Sequence, residues 1–276
     1  MSASASEALR LRFGEMVETP PELVDNATLA RMAGRGSCRA FRPEPPDPAA
    51  LRALAAVALA SPSKSDLQQR DIVIVQDQGQ LARLKALLAG QAWIEGAPAL
   101  LVFCANNRRQ RQLHALWDRP FANDHFDALF NAAVDAGIAL SAFVTAAEAA
   151  GLGCCPISAI RNRAAEVSAL LGLPDHVFPV AGLAVGQPAV APSISLRLPL
   201  SATVHIDRHA EPAFAQVVAD YDAARAGQTA DMAQRQEDRF GRADPYTWSD
   251  DKTRQYSRPE RADFGGFLRD KGFRMD

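Results

Sequence analysis

The stretch Phe126-Asp-Ala-Leu-Phe130-Asn-Ala-Ala-Val-Asp135-Ala-Gly-Ile-Ala-Leu140-Ser-Ala-Phe-Val-Thr145-Ala-Ala-Glu-Ala-Ala150-Gly151 decides how the rest of the chain is read. Phe126, Leu129, Phe130, Ala133, Val134, Gly137, Leu140, Val144 and Ala147 recur at steps of three and four, the period of an amphipathic helix. The spacing predicts one helix from Asn123 or Asp124 to Gly151, about seven turns long. Its Ala and Gly content lets a neighbouring helix approach closely. It is therefore expected at the centre of the fold or against another subunit.

Before it, Asp47-Pro48 followed by an Ala/Leu-rich run reads as an N-cap, a proline at the first helical position and a helix to about Ala60, broken by Ser61-Pro62-Ser63. Asp71–Gln76 and Pro98–Cys104 are β-branched or apolar runs of strand length, with helical spacing at Gln80–Ala89 between them. After the long helix, Arg163–Leu171 reads as a short helix closed by Gly172, and Val177–Gly186 as a third strand. Strand and helix candidates therefore alternate along the chain. From Gln228 to Arg261 the chain is charged and poor in aliphatics and cannot build an apolar core. It ends in Phe264, Phe267, Leu268 and Phe273, so an arm anchored at its tip is expected.

Composition narrows the function. The 276 residues are 48% apolar and 22% charged, with 30 Lys+Arg against 32 Asp+Glu, a formal charge of −2. A near-neutral balance leaves no basic footprint for nucleic acid, and none is expected as a partner. The richest apolar run, Ala50–Ala60, carries Arg52 and falls short of a membrane span, so no membrane partner is expected either. The start, Met1-Ser-Ala-Ser-Ala-Ser-Glu7, has neither a basic segment nor an apolar one, which points to a cytoplasmic protein. Cys38, Cys104, Cys154 and Cys155 lack C-x-x-C spacing and read as reduced, mostly buried thiols. The five histidines offer no metal-ligand pattern, so no metal is expected.

Three clusters could grip an anionic cofactor. Arg35, Ser37 and Arg39 stand at i, i+2 and i+4, so an extended backbone puts two planar guanidinium donors and a hydroxyl on one face, which could grip a phosphate, although the spacing by itself favours a solvated basic loop. Ser61-Pro-Ser-Lys-Ser-Asp-Leu-Gln-Gln69 concentrates hydrogen-bonding side chains between a helix and a strand, as a binding loop or a plain turn would. The backbone amides around Ser158 and Ala159, following Gly151-Leu-Gly153, could point at a ligand. His205 and Asp207 have no nucleophile in an elbow context, which argues against a hydrolase triad.

Taken in order, Arg35-x-Ser-x-Arg39-x-Phe41, Pro62-Ser63-x-x-Asp66-x-Gln68, Asp135-Ala-Gly-Ile-Ala139, Ala147-Glu-x-x-Gly-Leu-Gly153, Ile160-Arg-Asn162, Leu173-Pro174, Val185-Gly-Gln-Pro188 and Arg197-Leu-Pro199 resemble the nitroreductase/flavin reductase family over roughly residues 29–209. Thr247-Trp-Ser-Asp250, Ser257-Arg-Pro259 and Phe267-Leu268 are similar to the tail of its oxygen-insensitive NADPH nitroreductase branch.

The resemblance implies an α+β fold, a mixed sheet flanked by helices, in an obligate homodimer with FMN in two clefts at the subunit interface. It implies a core over residues 1–209 and an arm over 210–276 that packs on the partner. By the same resemblance, Arg35, Ser37 and Arg197 contact the FMN phosphate, and Arg39 the ribityl chain and pyrimidine side. Ser63, Asp66 and Gln68 hold the ribityl and pyrimidine edge, and Ser158 and Ala159 approach flavin N5. The sequence departs from the family at Asp66, where Asn is usual, at Ser195, where a phosphate-binding Lys is common, and at Pro156 and Ser158-Ala159.

The activity so implied is ping-pong transfer from NADPH or NADH through FMN to small-molecule acceptors such as nitroaromatics or quinones, with no side chain acting as acid, base or nucleophile. Arg235, Arg239 and Arg242 are candidates to meet a 2′-phosphate. Another flavin reaction on the same fold, such as reductive dehalogenation, ene reduction or flavin breakdown, and a non-catalytic flavin-binding dimer are the alternatives.

Overall fold

The computed structural model describes residues 4–88, 90–229 and 232–276. From the N-terminus its elements are α1 (Ala5–Phe13), α2 (Pro21–Val24), α3 (Ala27–Gly34), α4 (Pro48–Leu59), β1 (Arg70–Val75), α5 (Gln78–Leu87), β2 (Ala99–Asn106), α6 (Arg108–Leu116) and α7 (Phe126–Ala149). There follow β3 (Gly153–Ile157), α8 (Ala164–Leu170), β4 (Val177–Gly186), α9 (Phe214–Thr229), α10 (Glu237–Phe240), α11 (Trp248–Gln255) and α12 (Phe264–Asp270). They fall into two compact units, one of Met1–Arg35 with Ser193–Glu260, the other of Gly36–Pro192 with Arg261–Asp276.

The second unit holds the sheet, in the order β1-β2-β4-β3. Fully buried β2 explains its construction. Leu100, Val102 and Cys104 face a cluster with Leu81 and Leu84 of α5 and Val167 of α8, while Ala99, Leu101 and Phe103 face one with Leu51 and Ala55 of α4 and Phe143 of α7. Alternation along one strand thus feeds two apolar layers, and each fully buried Leu or Phe contributes roughly 1.5–3 kcal/mol. All three pairings are antiparallel, with Arg70 opposite Ala105, Ala99 opposite Val185 and Gly153 opposite Gly186. The expected mixed sheet is therefore corrected to an antiparallel one among the described residues, because each hydrogen-bonded neighbour runs back along the strand beside it. Edge strand β3 was not foreseen; its Pro156 is tolerated because it sits at the sheet edge with an exposed side chain.

Local signals set the helices. Asp47 accepts from the Ala49 amide with Pro48 at the first helical position, Asp77 caps α5 through the Gln80 amide, and Gly172 closes the turn after α8 at φ +63°. Helix α7 runs 24 residues, as its periodicity requires. The reading that no segment is long and apolar enough to cross a membrane is corrected here: α7 meets that criterion by length and composition. It is built as a core helix, with Ala132, Ala136, Ala139, Phe143 and Ala147 buried against the sheet side and a carboxylate, Asp135, fully enclosed. Its opposite face leaves Phe126, Phe130 and Val134 exposed at i, i+4 and i+8.

The chain's last turn of helix packs on this same unit. Leu268 and Phe273 join Ala105, Leu129 and Phe178, with the Phe273 and Phe178 rings edge-on at 5.3 Å. His176 Nε2–H donates to the Gly272 carbonyl at 3.0 Å. All four cysteines are buried free thiols, as expected, and burial pushes the Cys104 thiol up to about 12.

In the first unit, α9 and α11 meet through Tyr221 and Trp248, whose rings lie edge-on at 4.9 Å. The polar stretch after residue 231, expected to lack a core, is ordered by hydrogen bonds instead. Asp251, 1% exposed, accepts from Arg235, Lys252 and the Tyr246 hydroxyl, while Arg254 donates to Asp250 and to the Gly241 and Arg235 carbonyls. Burial alone would raise the Asp251 carboxyl, yet these partners hold it below the ordinary value.

Candidate functional site

In the second unit, the segment after Gly36 runs alongside edge strand β3. The Cys38 amide donates to Cys154 O at 3.0 Å, and Arg42 N and Ala189 N bond across to Gln187 O and Ala40 O. Cys38 points inward, 2% exposed, so Ser37 and Arg39 face the other way, as their two-residue spacing predicts for extended backbone. This approach depends on Gly153, since a Cβ there would lie 2.6 Å from Cys38 Sγ. Arg39 is exposed and its guanidinium lies over the Trp93 ring, 5.9 Å from its centre.

Residues 61–69 join α4 to β1 in a strained loop. Ser65, Asp66 and Gln68 hold φ at +49°, +56° and +52°, a left-handed conformation that costs a residue with a Cβ on the order of 1–2 kcal/mol. Ser63 Oγ accepts from the Gln68 amide at 2.8 Å, and Gln68 Nε2 donates to Asp66 Oδ1 at 3.2 Å. Ser63, Asp66 and Gln68 are thereby brought into one turn.

Two flanking groups fix the loop. Asp135, 0% exposed, accepts from the Lys64 amide at 2.9 Å and the Gln69 amide at 3.0 Å. Arg70 stands 3.6 Å from that carboxylate and donates to the Leu59 and Ser61 carbonyls. Arg109 bonds Asp71 and the Gln68 and Arg70 carbonyls. Beside the loop lies a cavity of about 200 Å³ lined by Lys64, Leu67, Gln69, Asn107 and His114 among others, where Gln69 Nε2 and Asn107 Oδ1 have no partner.

Ser158 and Ala159 open the 3₁₀ turn Ser158–Arg161 at the end of β3. Ser158 is exposed and Ala159 buried, and Arg161 donates to the Val180 carbonyl.

The first unit carries Arg35 and Arg197. Both are organised by Arg12, a buried residue whose guanidinium donates to Ala33 O, Arg35 O and Ser195 O, the last at 2.7 Å. The Arg12 carbonyl accepts from the Arg197 amide at 2.8 Å, and Arg197 Nη1 donates to Ser195 Oγ at 2.8 Å. Arg12, Arg35 and Arg197 line one cavity of about 460 Å³ whose remaining wall is largely apolar, with Leu9, Phe13, Leu29 and Met32. The Ser195 hydroxyl occupies the place where the resemblance led us to look for a lysine.

Of the three arm arginines, Arg235 is committed to Asp251 and Arg239 to the Ser257 carbonyl, while Arg242 is exposed. FMN requires cations for its phosphate, hydrogen-bonding groups for ribityl hydroxyls and a polar edge for its pyrimidine; within the first unit Arg35 and Arg197 suit the phosphate, and within the second the turn of Ser63, Asp66 and Gln68 offers hydrogen-bonding groups. Sequence reading left Arg12 unmentioned and gave Asp135 no role. Asp135 stood inside a quoted motif, and the one signal for it was a carboxylate in the middle of an otherwise apolar helical face.

In sequence and fold the chain is similar to known proteins. Residues 32–187 match the model of the nitroreductase family, and residues 195–276 that of the nitroreductase family C-terminal domain. The FMN reductase [NAD(P)H] of Bacillus subtilis is 36% identical over 182 residues, covering 65% of this chain and 73% of that protein. The oxygen-insensitive NADPH nitroreductase of Salmonella typhimurium is 34% identical over 195 residues, covering 71% and 79%. The solved structure of Bacillus megaterium NfrA2 superposes with a TM-score of 0.81 at 32% identity, covering 91% of this chain and 99% of that one.

Proposed function

This chain belongs to the nitroreductase family, and we propose that, as an FMN-dependent oxidoreductase using NAD(P)H, it reduces nitroaromatics, quinones and related electrophiles. The observation that carries the reading is that Arg35 and Arg197, which the resemblance assigns to the FMN phosphate, line one cavity, with Arg12 bonded to the Arg35 carbonyl and the Arg197 amide. Arginine's planar fork of donors matches phosphate oxygens, and a cavity that already gathers two such residues suits an anion.

Arg35, Arg197 and Ser37 serve the phosphate, and Arg39 the ribityl chain and pyrimidine side. Ser63, Asp66 and Gln68 serve the ribityl and pyrimidine edge, and the Ser158 and Ala159 amides the region of N5. The redox chemistry is that of bound FMN, which takes an electron pair from the nicotinamide and delivers it to the acceptor. The chain's own task is to bind, orient and set charge. Arg39 offsets negative charge that develops on the pyrimidine side, and its exposed guanidinium, steadied over Trp93, is free to do so. Asp66 accepts a hydrogen bond from a heterocyclic N–H in place of the asparagine of relatives.

The protein works as a cytoplasmic homodimer. Support comes from the exposed Phe126, Phe130 and Val134 stripe on α7, an apolar face that a second copy would cover. NADPH is the preferred reductant, with Arg242 as the 2′-phosphate contact among the arm arginines, since Arg235 and Arg239 are engaged in the arm's own bonds.

Anaerobic stopped-flow absorbance of the FMN-loaded protein, mixed separately with NADPH and NADH, tests the reading. Rapid bleaching of the flavin band is expected, faster with NADPH. A bound flavin that neither reductant bleaches would overturn it, and equal efficiency of the two would remove the preference. Arg39→Ala should weaken FMN binding and slow the bleaching; wild-type flavin content and rate would remove that role.

A further inference from the structure

We propose that Asp135 is a positioning residue for the cofactor, acting through the loop at residues 64–69; this rests on the reading that the loop holds FMN. The carboxylate is fully enclosed, so it touches no ligand directly. Its two oxygens are divided between the amides of Lys64 and Gln69, the residues that bracket Ser65, Asp66 and Gln68 with their positive φ values. Each oxygen therefore pins one end of the strained turn to the rigid central helix. A side-chain ion pair alone would serve packing no better than apolar groups of equal volume, so Arg70 at 3.6 Å is a counter-charge and the backbone amides are the carboxylate's targets. Without the clamp, the loop relaxes toward ordinary backbone geometry, and the Asp66 and Gln68 side chains leave the positions that meet the heterocycle edge.

Asp135→Asn retains shape and volume but presents an NH₂ to one of the two amides, donor against donor. The test compares it with Phe143→Leu, a control buried on the same helix among residues of the sheet core. FMN dissociation constants of the apoproteins are read by flavin fluorescence, and hydrogen exchange is followed at the 64–69 amides. Asp135→Asn should raise the FMN dissociation constant about tenfold or more and speed Lys64 and Gln69 exchange about tenfold, while the control changes both by less than about twofold. Wild-type protein that takes up no FMN would remove the underlying reading. Wild-type protein that binds FMN, with Asp135→Asn matching it in affinity and exchange, would overturn the inference alone. If Asp135→Asn does not fold, the wild-type protein decides: Lys64 and Gln69 amides exchanging as fast as the exposed amides of the same loop overturn the clamp, and selective protection supports it.

Discussion

Cys38 and Gly153 meet where no methyl group fits between them, and the direction of Ser37 and Arg39 follows from that contact. Gly153→Ala should cost about 1–3 kcal/mol through overpacking and should lower FMN affinity as well as melting temperature, measured together on one preparation. A melting temperature within about a degree of wild type would mean the segment can step aside. Arg12→Met removes a guanidinium that serves three carbonyls. It should destabilise the protein by about 2–3 kcal/mol in denaturant titration and cost FMN affinity through Arg35 and Arg197. The Arg35-Ser37-Arg39 pattern was legible because two-residue spacing dictates a shared face wherever the backbone is extended. Arg12 and Asp135 were not, because Arg12 reaches Ser195 183 positions away and Asp135 reaches Lys64 71 positions away, and no local spacing encodes such pairings.

At the level of elements, α7 was readable to within a few residues because its apolar period persists through many turns. Strand β3 was hidden: its five residues, Gly-Cys-Cys-Pro-Ile, carry a proline and follow a helix-stopping glycine, so only pairing with β4 makes them a strand. The order of the arm was hidden for a related reason. Its order comes from Asp251 and Arg254 rather than from aliphatic residues, and a buried ion network looks in sequence like a solvated charge run. The α12 tip carries a pH dependence. Burial, with help from Arg111, lowers the pKa of His176 below its ordinary 6.5, despite the bond to Gly272 O. The folded state therefore favours neutral imidazole, so the contribution is fully present above about 6.5 and is lost as pH falls through the lowered value. Limited proteolysis from about pH 8 to about pH 5 should show the C-terminal peptide released more readily at the acid end, and His176→Gln should flatten that dependence.

For the molecule as a whole, the exposed α7 stripe is the face on which the proposed association rests. Phe130 is 53% exposed between two other apolar side chains, and Phe130→Asp should shift the protein toward monomer by light scattering while lowering FMN content. A variant that stays dimeric with full flavin would place the subunit contact elsewhere. The division into units has a bearing on how the protein is made. The first unit needs both residues 1–35 and 193–260, and the second is completed only by residues 261–276. Each unit joins segments distant along the chain, so neither completes its contacts until the later of its segments has been synthesised. Chains truncated after residue 260 should therefore be cut more readily by protease within the second unit than the full sequence is.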